Sequence, residues 1–66
     1  MVVQVNGKSN ELPENMTIAQ LLTHFELDKK VVIVELNEMI IDKDHHANTT
    51  IKDGDKLELV QFVGGG

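Results

Sequence analysis

Cysteine is absent from these 66 residues. With it go disulfide staples, thiolate zinc sites, redox pairs and any nucleophilic thiol of the protein's own. Any sulfur this chain handles is supplied from outside. Arginine is absent too, and six scattered Lys are outnumbered by eleven Asp plus Glu, for a net charge of −5. Binding a phosphate backbone by counterion release needs clustered cations, so nucleic acid is not an expected partner. Two Phe with neither Trp nor Tyr leave no platform on which single-stranded bases could stack. The longest apolar run, Val31 to Val34, is far too short to span a bilayer. The first residues lack the basic and apolar regions of a secretory signal. A cytoplasmic protein with no membrane partner is expected.

What is present is an ordinary globular composition, 41% hydrophobic and 26% charged, in a chain with room for one small domain. A fold this small buries only about 60% of its unfolded surface, so a deep substrate pocket is not expected. Met1 to Val5 is rich in β-branched residues and runs into Asn6-Gly7, the strongest short hairpin signal. Lys8 to Leu12 forms the second strand, polar enough for an exposed edge and stopped by Pro13. Thr17-Ile18-Ala19-Gln20 matches a capping box, so a helix starts at Thr17. Ile18, Leu21, Leu22 and Phe25 then form one apolar stripe, Met16 and Leu21 are placed for a hydrophobic staple, and the helix ends near Glu26.

Val31 to Leu36 is expected as a buried strand, turning at Asn37-Glu38 into the short strand Met39-Ile40-Ile41. Asp42 to Thr50 is polar throughout and is expected as a surface loop, with Ile51 as a lone anchor before an Asp53-Gly54 turn. In the last strand Leu57 and Leu59 share one face, but Val60 and Phe62 place apolar residues on the other. Either they form an exposed patch or they pack under the 42–50 loop. Together the pattern is an α+β fold, a sheet with one helix packed on one face.

Few side chains offer chemistry. His45 and His46 with Asp42 and Asp44 are a poor metal set, because adjacent side chains on a loop rarely converge, and no metal site is expected. As a calcium loop from Asp42, the stretch has Ala47 where Gly is required and Asp53 where a bidentate Glu belongs. His24 is expected as an exposed residue near the helix C-terminus, with no base or nucleophile beside it. Two Asn-x-Thr sequences, at Asn15 and Asn48, carry no weight without a signal peptide.

The chain closes on Val63-Gly64-Gly65-Gly66. Polyglycine adds no core and has a high ordering entropy, so it is expected as a mobile arm reaching about 10 to 13 Å when extended. An arm without Cβ atoms enters a tunnel too narrow for other residues and delivers the α-carboxylate of Gly66. A carboxylate is activated most simply by adenylation, yet this chain has no phosphate-binding Gly-rich loop between a strand and a helix, no P-loop Lys and no Arg. By this reading the chain is the substrate and not the enzyme; otherwise the glycines are only a frayed end.

The tail Phe62 to Gly66, the strand Leu57-Glu58-Leu59-Val60, the Asn6-Gly7 hairpin and the Val31-to-Glu35 strand together resemble the bacterial thiamin sulfur carrier family, over the whole chain. The resemblance implies the β-grasp fold of ubiquitin, with a single domain over 1–63 and a flexible arm over 64–66. It implies that a ubiquitin-activator-like enzyme adenylates Gly66, and that sulfur from a cysteine desulfurase persulfide displaces AMP to leave a thiocarboxylate. Thiazole synthase then takes that sulfur for the thiamin thiazole. Gly64 and Gly65 would thread the partner active sites, and Val60, Phe62 and Val63 would form the partner-binding patch. The chain itself would hold no cofactor, ATP being consumed by the adenylating partner, and would be a monomer when free. The small subunit of molybdopterin synthase, a ubiquitin-like modifier joined through Gly66 to a lysine, and a plain binding module with an inert tail remain as alternatives.

Overall fold

The computed structural model describes residues 1–62. The glycine arm and Val63 lie outside the described residues. Five strands, β1 (Val2–Val5), β2 (Lys8–Glu11), β3 (Val32–Leu36), β4 (Met39–Ile41) and β5 (Lys56–Gln61), form one sheet in the order β2-β1-β5-β3-β4. Helix α1 (Ile18–His24) connects β2 to β3. Pairing is antiparallel except between β1 and β5, which run side by side in the same direction, Gln4 opposite Lys56 and Val5 opposite Leu57.

Local chemistry explains most of these boundaries. Asn6 and Gly7 take φ of 52° and 82°, the positive pair that a two-residue hairpin with the twist of its strands requires. The capping box forms as the spacing predicts: the Gln20 backbone N–H donates to the Thr17 hydroxyl at 3.2 Å, and the Thr17 N–H donates to Gln20 Oε1 at 2.8 Å. The helix closes on Phe25, and Glu26 follows at φ 60°, a left-handed terminating residue. Ile18, Leu21 and Leu22 are buried and Phe25 and Met16 are half-buried against them, as the stripe and staple imply. With Val3, Val5, Val34, Ile51 and Leu57 they make a core lying between the helix and one face of the sheet.

Two expectations are corrected. Val31 to Leu36 is not a buried strand: Val34 is fully enclosed, but Ile33 is 37% and Val31 68% exposed. Four consecutive apolar residues suggest cover on both faces, whereas here only one face carries the helix. Asp42 to Thr50 is not an irregular surface loop either, since Lys43–Asn48 forms a 3-10 helix packed on α1 with His46 buried. His46 Nε2 lies 3.0 Å from the Ile41 carbonyl, and the Ile18 and Ile51 N–H groups donate to the Thr49 and Met16 carbonyls. These bonds satisfy a polar segment against the helix start, a tertiary effect that periodicity does not show.

The β3–β4 turn uses Asn37 and Glu38 at φ 51° and 71°. Asparagine tolerates that region, but glutamate has no such excuse. Replacing Glu38 with Gly is therefore expected to stabilise the fold by about 1 kcal/mol, a rise of about 5 °C in melting temperature for a domain this size. A thermal melt that is unchanged or lower would show that the turn is not strained at Glu38.

Candidate functional site

The last strand positions Val60 and Phe62, the described residues among those the sequence marks as functional. On one side β5 pairs with β3 along its length, from Leu36 opposite Leu57 to Val32 opposite Gln61, and the Phe62 N–H donates to the Val31 carbonyl at 3.1 Å. On the other side β1 stops at Val5, and the Asn6 side chain completes the ladder by accepting the Leu59 N–H at 2.7 Å. Asn37 does the same at the strand's beginning, accepting from the Lys56 N–H at 3.0 Å and donating to Asp55 at 3.1 Å. Two turn asparagines thus clamp β5, so its course up to Phe62 is fixed by backbone geometry.

Strand alternation decides the fate of Val60 and Phe62. Leu57 is buried under the helix and Leu59 is half-buried on the same face, which puts Val60 and Phe62 on the opposite one. They are 48% and 54% exposed. The 3-10 helix packs on the α1 side of the sheet, so these residues form an exposed patch and do not pack under the 42–50 segment. Cross-strand register extends the patch beyond what the sequence indicates. Ile33 is directly opposite Val60, Val31 follows on the same face, and Ile40 joins from β4, 67% exposed. In sequence these residues look like core strand; only the register shows them gathered on the open face.

Nothing on that face or in the clefts is arranged for catalysis among the described residues. A groove of about 340 Å³ between β3, β4 and the 3-10 helix is lined largely by aliphatic side chains, including Leu22, Val32 and Ile41. Its one buried polar side chain, His46, is held at the Ile41 carbonyl. No three His, Asp or Glu side chains among the described residues converge as metal ligands. His24 is exposed and stands edge-on to Phe25, ring centroids 5.1 Å apart. Of the predicted site residues, Val60 and Phe62 are brought together on one face, while Val63, Gly64, Gly65 and Gly66 lie outside the described residues.

Comparison with known proteins agrees with this arrangement. The family model described as the ThiS family matches residues 3–66. The sulfur carrier protein ThiS of Bacillus subtilis is 41% identical over 66 residues, covering 98% of this chain and all of that one. A thiazole synthase of Paramagnetospirillum magneticum is 39% identical over all of this chain, which spans only 20% of that protein's length. The crystal structure of a thiamine biosynthesis protein (ThiS) from Geobacter metallireducens superposes with a TM-score of 0.85 at 35% identity, each chain fully covered. The mixed five-stranded sheet with helix α1 packed on one face is thus the β-grasp fold that the resemblance implied. With the family model matching residues 3–66 and a full-length relative at 41% identity, the chain belongs to the ThiS family.

Proposed function

We propose that this protein is a sulfur carrier of thiamin biosynthesis whose Gly66 carboxylate bears the sulfur, a co-substrate and not a catalyst. The family match carries this reading, because it runs through residue 66 and so includes the glycine tail. A ubiquitin-activator-like enzyme attacks ATP with the Gly66 carboxylate, forming an acyl adenylate and releasing pyrophosphate. The terminal sulfur of a persulfide, made by a cysteine desulfurase, then attacks the acyl carbon and expels AMP. A second thiol then attacks the desulfurase-side sulfur of the acyl disulfide, forming a disulfide with it and releasing the thiocarboxylate. The chain's lack of cysteine suits this cycle, since no internal thiol can capture the activated carbonyl.

Thiazole synthase is the acceptor in this reading. A protein of that name carries a segment like this chain over a fifth of its length, and joining a carrier to its acceptor raises the effective concentration of one for the other. Gly64 and Gly65 serve as the narrow thread into the partner sites, while Val60, Phe62 and Val63 anchor the docked surface. The chain needs no cofactor of its own, ATP being consumed by the adenylating partner. Among the described residues no helix is long and apolar enough to cross a membrane. As the activation consumes ATP, the cytosol is the compartment in this reading.

The test is the intact mass of protein purified from cells containing its native partners, and of protein incubated with ATP, the cognate adenylating enzyme and a persulfide donor. Replacement of one oxygen by sulfur, mapped to Gly66, is the expected result. An unmodified Gly66 under both conditions would overturn the proposal.

A further inference from the structure

The open face of the sheet carries an arrangement that the carrier chemistry does not require. Glu35 on β3 and Glu58 on β5 are directly opposite one another across the ladder. Alternation places both on the face of Ile33 and Val60, and Ile40 is directly opposite Glu35 on its other side. Like charges at opposed positions of an antiparallel pair destabilise a sheet. Among the described residues no lysine or histidine lies within ion-pair distance of either carboxylate, the one ion pair being between the Met1 amino group and Glu14. Among the described residues neither glutamate side chain accepts a hydrogen bond. Two repelling carboxylates, neither within ion-pair distance of a cation, therefore sit beside the aliphatic side chains of Ile33, Ile40 and Val60, with Lys56 on the same face one alternation before Glu58.

We propose that Glu35 and Glu58 together receive an arginine or lysine side chain of the adenylating enzyme, inserted between them as the aliphatic residues around them are covered. The proposal rests on the sulfur-carrier reading above. A basic side chain converts the repulsion into two attractive contacts, and covering the surrounding residues removes water that would otherwise screen them. A second copy of this chain does not fit the face, because two-fold stacking brings four carboxylates together. The arrangement gives a specificity device: an apolar surface without the cation covers the patch but leaves two charges desolvated and unpaired.

The experiment measures pyrophosphate release by the cognate adenylating enzyme against carrier concentration, for the wild type, Glu35→Gln/Glu58→Gln and Glu58→Lys. Thermal melts of each free carrier accompany it. In the double variant KM is expected to rise about tenfold or more with kcat unchanged, since the pair acts in docking and not in the chemical step. Its melting temperature should stay level or rise as the repulsion is removed. Added salt should weaken wild-type docking and leave the double variant's KM nearly constant. Glu58→Lys, which pairs with Glu35 and should stabilise the free sheet, is expected to dock more weakly still. KM values within about twofold of wild type in both variants would overturn the inference, as would a tenfold change accompanied by a lower melting temperature. A wild-type carrier that elicits no pyrophosphate release would instead overturn the function itself.

Discussion

Deleting Gly66, or replacing Gly65 with leucine, is expected to bring thiocarboxylate formation below detection while the melting temperature stays within about 1 °C of wild type. The deletion removes the carboxylate that is to be adenylated and offers a different one a residue short of the reacting phosphate. Misplacement of a reacting group by even 1 Å costs about a hundredfold in rate, and one residue of extended chain is about 3.5 Å. The leucine variant keeps the carboxylate but puts a branched side chain where only a backbone is expected to pass. Stability should be indifferent to both, because the core is assembled from residues between Val3 and Leu57. Intact mass after incubation with the activating system gives the first readout and a thermal melt the second. Loading that survives would remove Gly66 from its assigned role, and a large loss of stability would make the tail structural.

Val34→Asp is expected to unfold the protein at 25 °C. Val34 is fully enclosed on β3, with Ile41 opposite it on one side and Leu59 on the other. An aspartate there has no cation to pair with, and burying its charge or forcing its protonation costs several kcal/mol. A domain of this size holds only a few kcal/mol of net stability, so the loss is about as large as the whole. Leu22→Asp, on the helix above, should fail for the same reason. Val60→Asp provides the contrast, being one step along the sheet on the uncovered face, and should remain folded. Far-UV circular dichroism distinguishes the outcomes, and a native spectrum for Val34→Asp would contradict the assignment of the two faces.

The elements that could be read in advance are those whose cause is local. Asn6-Gly7 needs only two positive φ values, and Thr17 with Gln20 needs only one turn of backbone, so both are legible within four residues. The stripe from Ile18 to Phe25 is likewise complete on its own helix. Ile33 is legible as strand but not as exposed, because whether a face is covered depends on where helix α1 lies, and Val31, expected to begin the strand, precedes β3 by one residue. The segment holding His46 is illegible for a related reason: its 3-10 turn closes against α1, which is far along the chain though near in space. For the candidate site, Val60 and Phe62 announced themselves by interrupting an alternation, whereas Ile33, Ile40 and the Glu35–Glu58 pair appear only once the register between strands is known. Nor does any local signal indicate that the first and last strands are neighbours.

That neighbouring pair gives the domain a polarity. Since β1 and β5 run in the same direction, with the Gly54 N–H bonded to the Val2 carbonyl, the beginning of β1 is level with the beginning of β5. From Lys56 to Gln61 β5 then runs about 17 Å at the rise of a strand. Anything joined ahead of Val2, whether a fluorophore, a purification handle or another protein, therefore attaches at the pole opposite the one from which the glycines depart. The molecule can be tethered by one end and served from the other.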